Sequence, residues 1–258
     1  MSTTAIPRLE GPIVLAHGLC GFDRLCAFGG VVKDYFPGIR ESLEAVGNRV
    51  RVARVTPTAG VERRAKDLKR FIDRESPGEK VHVIAHSMGG LDARYMISRL
   101  GMESRVLSLT TVGTPHRGTS FADWAVSRFA RLVEPIMRFF LLPCEAFRDL
   151  TTESCRLFNE DVRNVPGVRY YSVAGRCDPA WIGFEWLLPY RMVERAEGPN
   201  DGVVSVASAS WGEHTDVWEG DHLNLVNWPN RHACRRGEWA KLAPDYGRVL
   251  RRLAQAGF

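Results

Sequence analysis

The 258-residue chain contains no run of roughly 18 uncharged apolar residues, which is what a membrane-spanning helix requires. Its charge-poor stretches, such as Gly202–Gly212, are short and polar, so no transmembrane segment is expected. Net charge is only +5, and the basic residues form no long run, so nothing points to a nucleic-acid partner. A mild attraction to anionic surfaces is all that this balance supports. The six cysteines are few for the length and include no Cys-x-x-Cys pair, which argues against a zinc site or redox motif and for free thiols. Met1–Pro12 lack a basic start followed by an apolar run, so no secretory signal is visible. The expectation is a cytoplasmic protein, or a secreted one if the chain begins after processing. No repeat, low-complexity tract or linker rich in proline, glycine and serine interrupts the chain, and residues 1–258 read as one domain.

Hydrophobic residues make up 45% of the chain, enough to fill a core and too many for disorder. Short β-branched runs recur at Ile13–Ala16, Val50–Val55, Val81–Ala85, Val106–Val112, Val168–Ala174 and Val203–Val206, with helical stretches between them. Val61, Ala65, Leu68, Phe71 and Ile72 fall at helical spacing, with arginine and lysine on the other face, before Pro77-Gly78 ends the segment. The strand runs are mostly apolar rather than cleanly alternating, as expected for parallel strands covered on both faces. The expected fold class is α/β with a mostly parallel, doubly wound sheet. From Thr119 to about Val165 the strand signal disappears, leaving helical pattern around an apolar centre, Pro135–Pro143. Roughly 45 residues is too long for an unstructured connection in a compact domain, so a helical cap inserted at about 119–165 is expected.

Val81-His82-Val83-Ile84-Ala85-His86-Ser87-Met88-Gly89-Gly90-Leu91 places a serine directly after a buried strand and before a helical stretch, with a small residue two positions to either side. That arrangement is a nucleophile elbow. A strand turning sharply into a helix brings the flanking backbones together, and larger side chains at Ala85 or Gly89 would collide. Ser87 is thereby lifted clear of the sheet at a helix N-terminus, where backbone N–H groups favour developing negative charge. The bare pattern is weakly specific, and its context supplies the rest. His17-Gly18-Leu19-Cys20-Gly21 follows the first strand, where the second oxyanion donor belongs, so the backbone N–H groups of Leu19 and Met88 are the expected oxyanion hole. His86 and His116 read as packing residues of their motifs.

Such a serine needs a base and the base an orienting acid, in chain order Ser, Asp or Glu, His. His214, His222 and His232 follow in the last part of the chain. His222, in Glu219-Gly220-Asp221-His222-Leu223-Asn224-Leu225, lies in a loop entering an apolar turn and is the expected base. His214 sits among Glu213, Thr215 and Asp216 as in a solvated loop, and His232 lies among arginines. For the acid, Asn200-Asp201-Gly202 is a turn tripeptide about twenty residues before His222. Asp201 is preferred, with Asp178 and Asp221 as the alternatives.

The sequence resembles the α/β-hydrolase triacylglycerol lipases of the bacterial true-lipase type. The resemblance runs through His17–Asp23, Tyr35–Ile39, Ala85–Tyr95, Val112–Thr119, Leu150–Glu153, Phe158-Asn159, Asn200–Val204 and Asp221–Leu223. It implies an α/β-hydrolase fold, a triad of Ser87, Asp201 and His222, oxyanion donors at Leu19 and Met88, and a movable lid over an acyl-binding cleft. The substrate it implies is a lipid ester, with transient contact with a lipid surface. Within the cap, Phe139, Phe140 and Leu141 are candidates to line the acyl site. Two departures stand out. Ala85 replaces the usual glycine of the elbow and fits sterically. Asn224 stands two residues after His222, where lipases of this type that bind structural calcium carry an aspartate; a neutral amide is a weaker ligand for a hard cation, so no cofactor is expected and calcium is disfavoured. If the family's disulfide is kept, Cys177 and Cys234 are the pair it would join. An esterase, phospholipase or acyltransferase could share this scaffold, whereas a non-catalytic relative would be expected to have lost one triad residue, and all three are present.

Overall fold

Apolar side chains on both faces of a central strand require a layer of helices above and below it. The chain is so arranged in its computed structural model, which describes residues 5–19, 24–27, 30–129, 145–183, 186–237 and 239–258. Strands β1 (Ile13–Ala16), β4 (Val50–Val52), β5 (Val81–His86), β6 (Val106–Val112), β7 (Arg169–Arg176) and β8 (His214–Glu219) form one sheet in the order β4-β1-β5-β6-β7-β8, and every pairing in it is parallel. β2 (Arg24–Ala27) and β3 (Gly30–Asp34) form a separate antiparallel pair, which the hydrophobic pattern did not announce.

Side-chain alternation divides each apolar run between two cores. Val14, Ala16, Val83, Ala85 and Leu109 pack with Ala65, Leu68, Phe71 and Ile72 of α2 (Val61–Glu75) and with Ala93, Met96 and Ile97 of α3 (Gly89–Arg99). Ile13, Leu15, Ile84, Val112 and Val173 pack on the opposite face with Ile39 and Leu43 of α1 (Ile39–Glu44) and with a helix at Tyr246–Gln255 through Tyr246, Val249, Leu250 and Leu253. All six residues of β5 are buried, so its C-terminal end is a fixed platform.

The run expected as a strand at Val203–Val206 is not one. Asp201 Oδ1 accepts the backbone N–H groups of Val203 (3.1 Å) and Val204 (2.8 Å), an Asx-type turn that takes these residues out of the sheet ladder. The sixth strand is instead the polar His214–Glu219, whose half-exposed edge position tolerates charge. Between β6 and β7 the described residues form α4 (Ser120–Phe129), α5 (Glu145–Asp149) and α6 (Thr152–Asp161). These helices are tied to the body: Asp149 Oδ2 accepts the Val61 N–H at the start of α2 at 2.7 Å, and Asp123 accepts the N–H and hydroxyl of Thr152. Cys155, Cys177 and Cys234 are free thiols, so Cys177 and Cys234 are not bridged. Among the described residues no helix is long and apolar enough to cross a membrane.

One polar group crosses the α2–α3 layer. Arg64 and Asp92 are almost completely buried and meet at 2.8 Å, and the same guanidinium donates to the carbonyls of His17 (2.7 Å) and Thr56 (3.0 Å). It fixes the loop that follows β1. Removing one partner of such a pair strands the other charge, which costs about 3–5 kcal/mol, whereas replacing both with apolar residues is far milder. Arg64→Met should therefore lower the urea midpoint strongly, and Arg64→Met/Asp92→Leu should regain more than half of that loss. An equal loss in both variants would contradict this reading.

Candidate active site

Ser87 connects β5 to α3 with φ +55°, a left-handed conformation that is costly for a residue with a side chain and is kept only where the surroundings impose it. Its N–H donates to Val112 O at 2.8 Å, and its carbonyl accepts from the Gly90 N–H (3.0 Å) and the Thr114 hydroxyl (2.7 Å). Glycine is needed around it. A Cβ on Gly18 would lie 2.7 Å from Ser87 Cβ, and one on Gly89 would lie 2.8 Å from His17 O. The loop His17-Gly18-Leu19 is thus pressed against the serine. The backbone N–H groups of Leu19 and Met88 have no acceptor among the described residues, which leaves both available to an incoming oxygen.

His222 lies in the loop after β8. Its Nε2 is 3.0 Å from Ser87 Oγ, and its Nδ1 is 2.7 Å from Asp201 Oδ2. A carboxylate accepts only, so Nδ1 carries the proton and Nε2 offers its lone pair to the serine hydroxyl. The backbone repeats the connection, with His222 N–H donating to Asp201 O at 2.7 Å. Asp201 is fully buried and His222 is 7% exposed. The turn that removes Val203 and Val204 from the sheet therefore also holds the carboxylate in place. Gly113 and Gly175, at the ends of β6 and β7, make room for this pair: a Cβ on Gly175 would stand 2.6 Å from Asp201 Cβ, and one on Gly113 would stand 3.1 Å from Asp201 Oδ2. The Trp186 ring meets the His222 imidazole edge-on at 6.2 Å.

The remaining candidates lie apart. Asp178 is exposed and accepts from the Ala180 N–H. Asp221 is buried but turned away from the imidazole, accepting from Leu223, Asn224 and Asn230. His214 is on β8, bonded to Asp216 and Arg252. The His232 side chain and the cap residues Phe139, Phe140 and Leu141 lie outside the described residues. His116 is a packing residue: it is fully buried, stacked on Trp211 and bonded to Arg94 and Thr111. Burial, with Arg94 and Arg117 nearby, holds its pKa well below the ordinary range. The sequence motifs include Tyr35 but give it no role, and they do not reach Arg64 or Gly175, because the roles of all three depend on contacts between distant segments.

A family model described as the alpha/beta hydrolase fold matches residues 57–159. The chain is similar to the triacylglycerol lipase of Pseudomonas fragi, at 35% identity over 95% of this chain and 97% of that one. It is similar to triacylglycerol lipase 2 of Saccharomyces cerevisiae at 31% identity, over 90% of this chain and 84% of that one. Staphylococcus hyicus lipase superposes with a TM-score of 0.73 at 17% identity, covering 100% of this chain and 99% of that one. The mature Bacillus licheniformis lipase gives 0.67 at 23% identity, covering 85% and 90%. The two superpositions show a common fold.

The space left by Gly175 provides a test that needs no substrate. Gly175→Ala should push Asp201 off the imidazole, so the low-field proton resonance of His222 Nδ1–H, present in the parent, should vanish while the far-ultraviolet spectrum is retained. Persistence of that resonance in the variant would contradict the packing described.

Proposed function

The chain belongs to the triacylglycerol-lipase family of α/β hydrolases, and from that membership we propose that Ser87, His222 and Asp201 cleave lipid esters through an acyl-enzyme. Ser87 Oγ attacks the ester carbonyl while His222 Nε2 takes its proton, and Asp201 holds the tautomer and stabilises the imidazolium. The Leu19 and Met88 N–H groups receive the oxyanion. His222 then returns the proton to the departing alcohol, and water attacks the acyl-enzyme through the same base. The observation that carries this reading is the continuous hydrogen-bond chain Ser87–His222–Asp201, assembled from three distant loops on a serine held at positive φ.

The insertion at about 119–165 serves in this reading as a cap. It leaves the sheet after β6 at the same C-terminal edge as Ser87, where open α/β sheets bind their ligands. The apolar run in its sequence that holds Phe139, Phe140 and Leu141, outside the described residues, has the composition to meet an acyl chain or a lipid surface. The substrate class that the family membership supports is a lipid ester.

The loop around His222 does not suit a calcium ion. Asn224 Oδ1 accepts the Asp221 N–H at 2.8 Å and its Nδ2 donates to Trp228 O at 3.0 Å, while both oxygens of the Asp221 carboxylate already accept hydrogen bonds. A hard cation needs charged or free oxygens, and here amide bonds span the loop instead. We propose that no metal is required.

Two measurements test these proposals. On nitrophenyl esters of graded chain length and on triglyceride emulsions, the parent should turn over substrate, because His222 Nε2 stands within hydrogen-bond reach of the serine hydroxyl. Ser87→Ala and His222→Ala should each lose nearly all turnover, and Asp201→Asn about 10⁴-fold in kcat. Full activity in Ser87→Ala would overturn the mechanism. A chelator should leave activity and Tm unchanged; a loss restored by calcium alone would overturn the metal-free reading.

A further inference from the structure

His86 directly precedes Ser87 and is 1% exposed, yet it makes no bond to the serine. Its ring lies 4.5 Å from that of His222, and its Nε2 is 3.1 Å from the carbonyl oxygen of His222. A carbonyl can only accept, so Nε2 carries the proton. Burial, with His222 and His17 close by, holds the imidazole neutral, which leaves a lone pair on Nδ1. The Tyr35 hydroxyl stands 2.8 Å from that Nδ1 and must donate to it. The tyrosine oxygen in turn accepts the Gly18 N–H at 3.2 Å. Each donor in this series has one defined direction, from the oxyanion loop through Tyr35 and His86 to the backbone of the base.

The segment carrying Tyr35 is pinned to the far side of the same loop. Trp228 Nε1 donates to Tyr35 O at 2.9 Å, and Asn227 Nδ2 donates to Pro37 O at 2.8 Å. The two loops that must stay in register with Ser87, one bearing the Leu19 N–H and the other His222, thus share one tyrosine and one histidine.

We propose that Tyr35 and His86 are positioning residues that lock the oxyanion loop to the loop of the catalytic base. The proposal rests on the function given above. Neither side chain touches substrate; each acts by holding groups whose placement matters in the transition state, where small displacements are costly. The loss should therefore fall on kcat and leave KM nearly alone.

The test uses the full chain with a soluble short-chain ester. Tyr35→Phe removes only the hydroxyl and should lower kcat about tenfold, the scale of one lost hydrogen bond, with KM within about twofold and Tm nearly kept. His86→Leu should lower kcat by about 10²-fold, and His86→Gln, which keeps a donor and an acceptor, should recover part of it. The double variant Tyr35→Phe/His86→Leu should be no worse than His86→Leu, because both changes break one series. Unchanged kcat in Tyr35→Phe, or losses that multiply in the double variant, would overturn the proposal. Nitrogen-15 NMR reads the same arrangement without turnover. His86 should be the neutral Nε2–H tautomer, with its Nδ1 resonance shifting in Tyr35→Phe. An Nδ1–H tautomer, or no shift, overturns the relay. Absence of ester turnover in the parent would instead overturn the proposed function and leave the relay judged on the NMR result.

Discussion

The left-handed backbone of Ser87 is the constraint to which the rest of the molecule answers. At φ +55° a residue with a side chain carries strain on the order of 1–3 kcal/mol. That strain must be held by groups that cannot relax. β5 supplies rigidity from below, since it is buried along its whole length between two parallel neighbours. From above, Val112 O, Gly90 N–H and the Thr114 hydroxyl fix both ends of the serine peptide. The glycines at 18, 89 and 113 follow from the same demand, because any Cβ there would enter space occupied by neighbouring backbone or side chains.

Around that point the chain builds its polar interior from pairs with single directions. Arg64 and Asp92 hold the His17 carbonyl from one side, and Tyr35 holds the Gly18 N–H from the other. On the base side, Asp201 fixes the imidazole while its second oxygen is consumed by the turn at Val203 and Val204. Asn224, Asp221 and Asn230 then tie the His222 loop to itself and to Trp181 and Trp228. Buried polar groups are costly when unpaired, so such networks specify one arrangement of loops.

What could be read from the sequence is what depends on local spacing. The small residues flanking Ser87, the helical periodicity of Val61–Ile72 and the continuous apolar runs each encode their structure within a short window, and the sheet follows from them. Asp201 and His222 are legible as candidates because a turn tripeptide and a loop histidine fall in the required chain order, and the structure brings both to Ser87. The reading failed where a tertiary bond overrides composition. Val203–Val206 has a strand's residues, but the Asp201 carboxylate captures its N–H groups. β8 has a loop's residues, but it pairs with β7 from Tyr171 to Arg176. Gly175, hidden inside a strand, is required by Asp201, about 26 positions away in the chain. Tyr35 lies in a motif that gives no hint of its role, and Arg64 carries no local signal, since the partners of both lie in other segments.

The central claim is that this strained serine is the nucleophile and that the His222–Asp201 pair activates it. Intact-mass measurement after brief exposure to a nitrophenyl phosphonate ester tests it most directly, because the reagent traps the activated hydroxyl covalently and does not depend on the natural substrate. The account predicts one adduct per chain, located at Ser87 by peptide mapping, formed much more slowly in His222→Ala and absent in Ser87→Ala. An adduct at another residue, or labelling of Ser87 at the parent rate without His222, would contradict it.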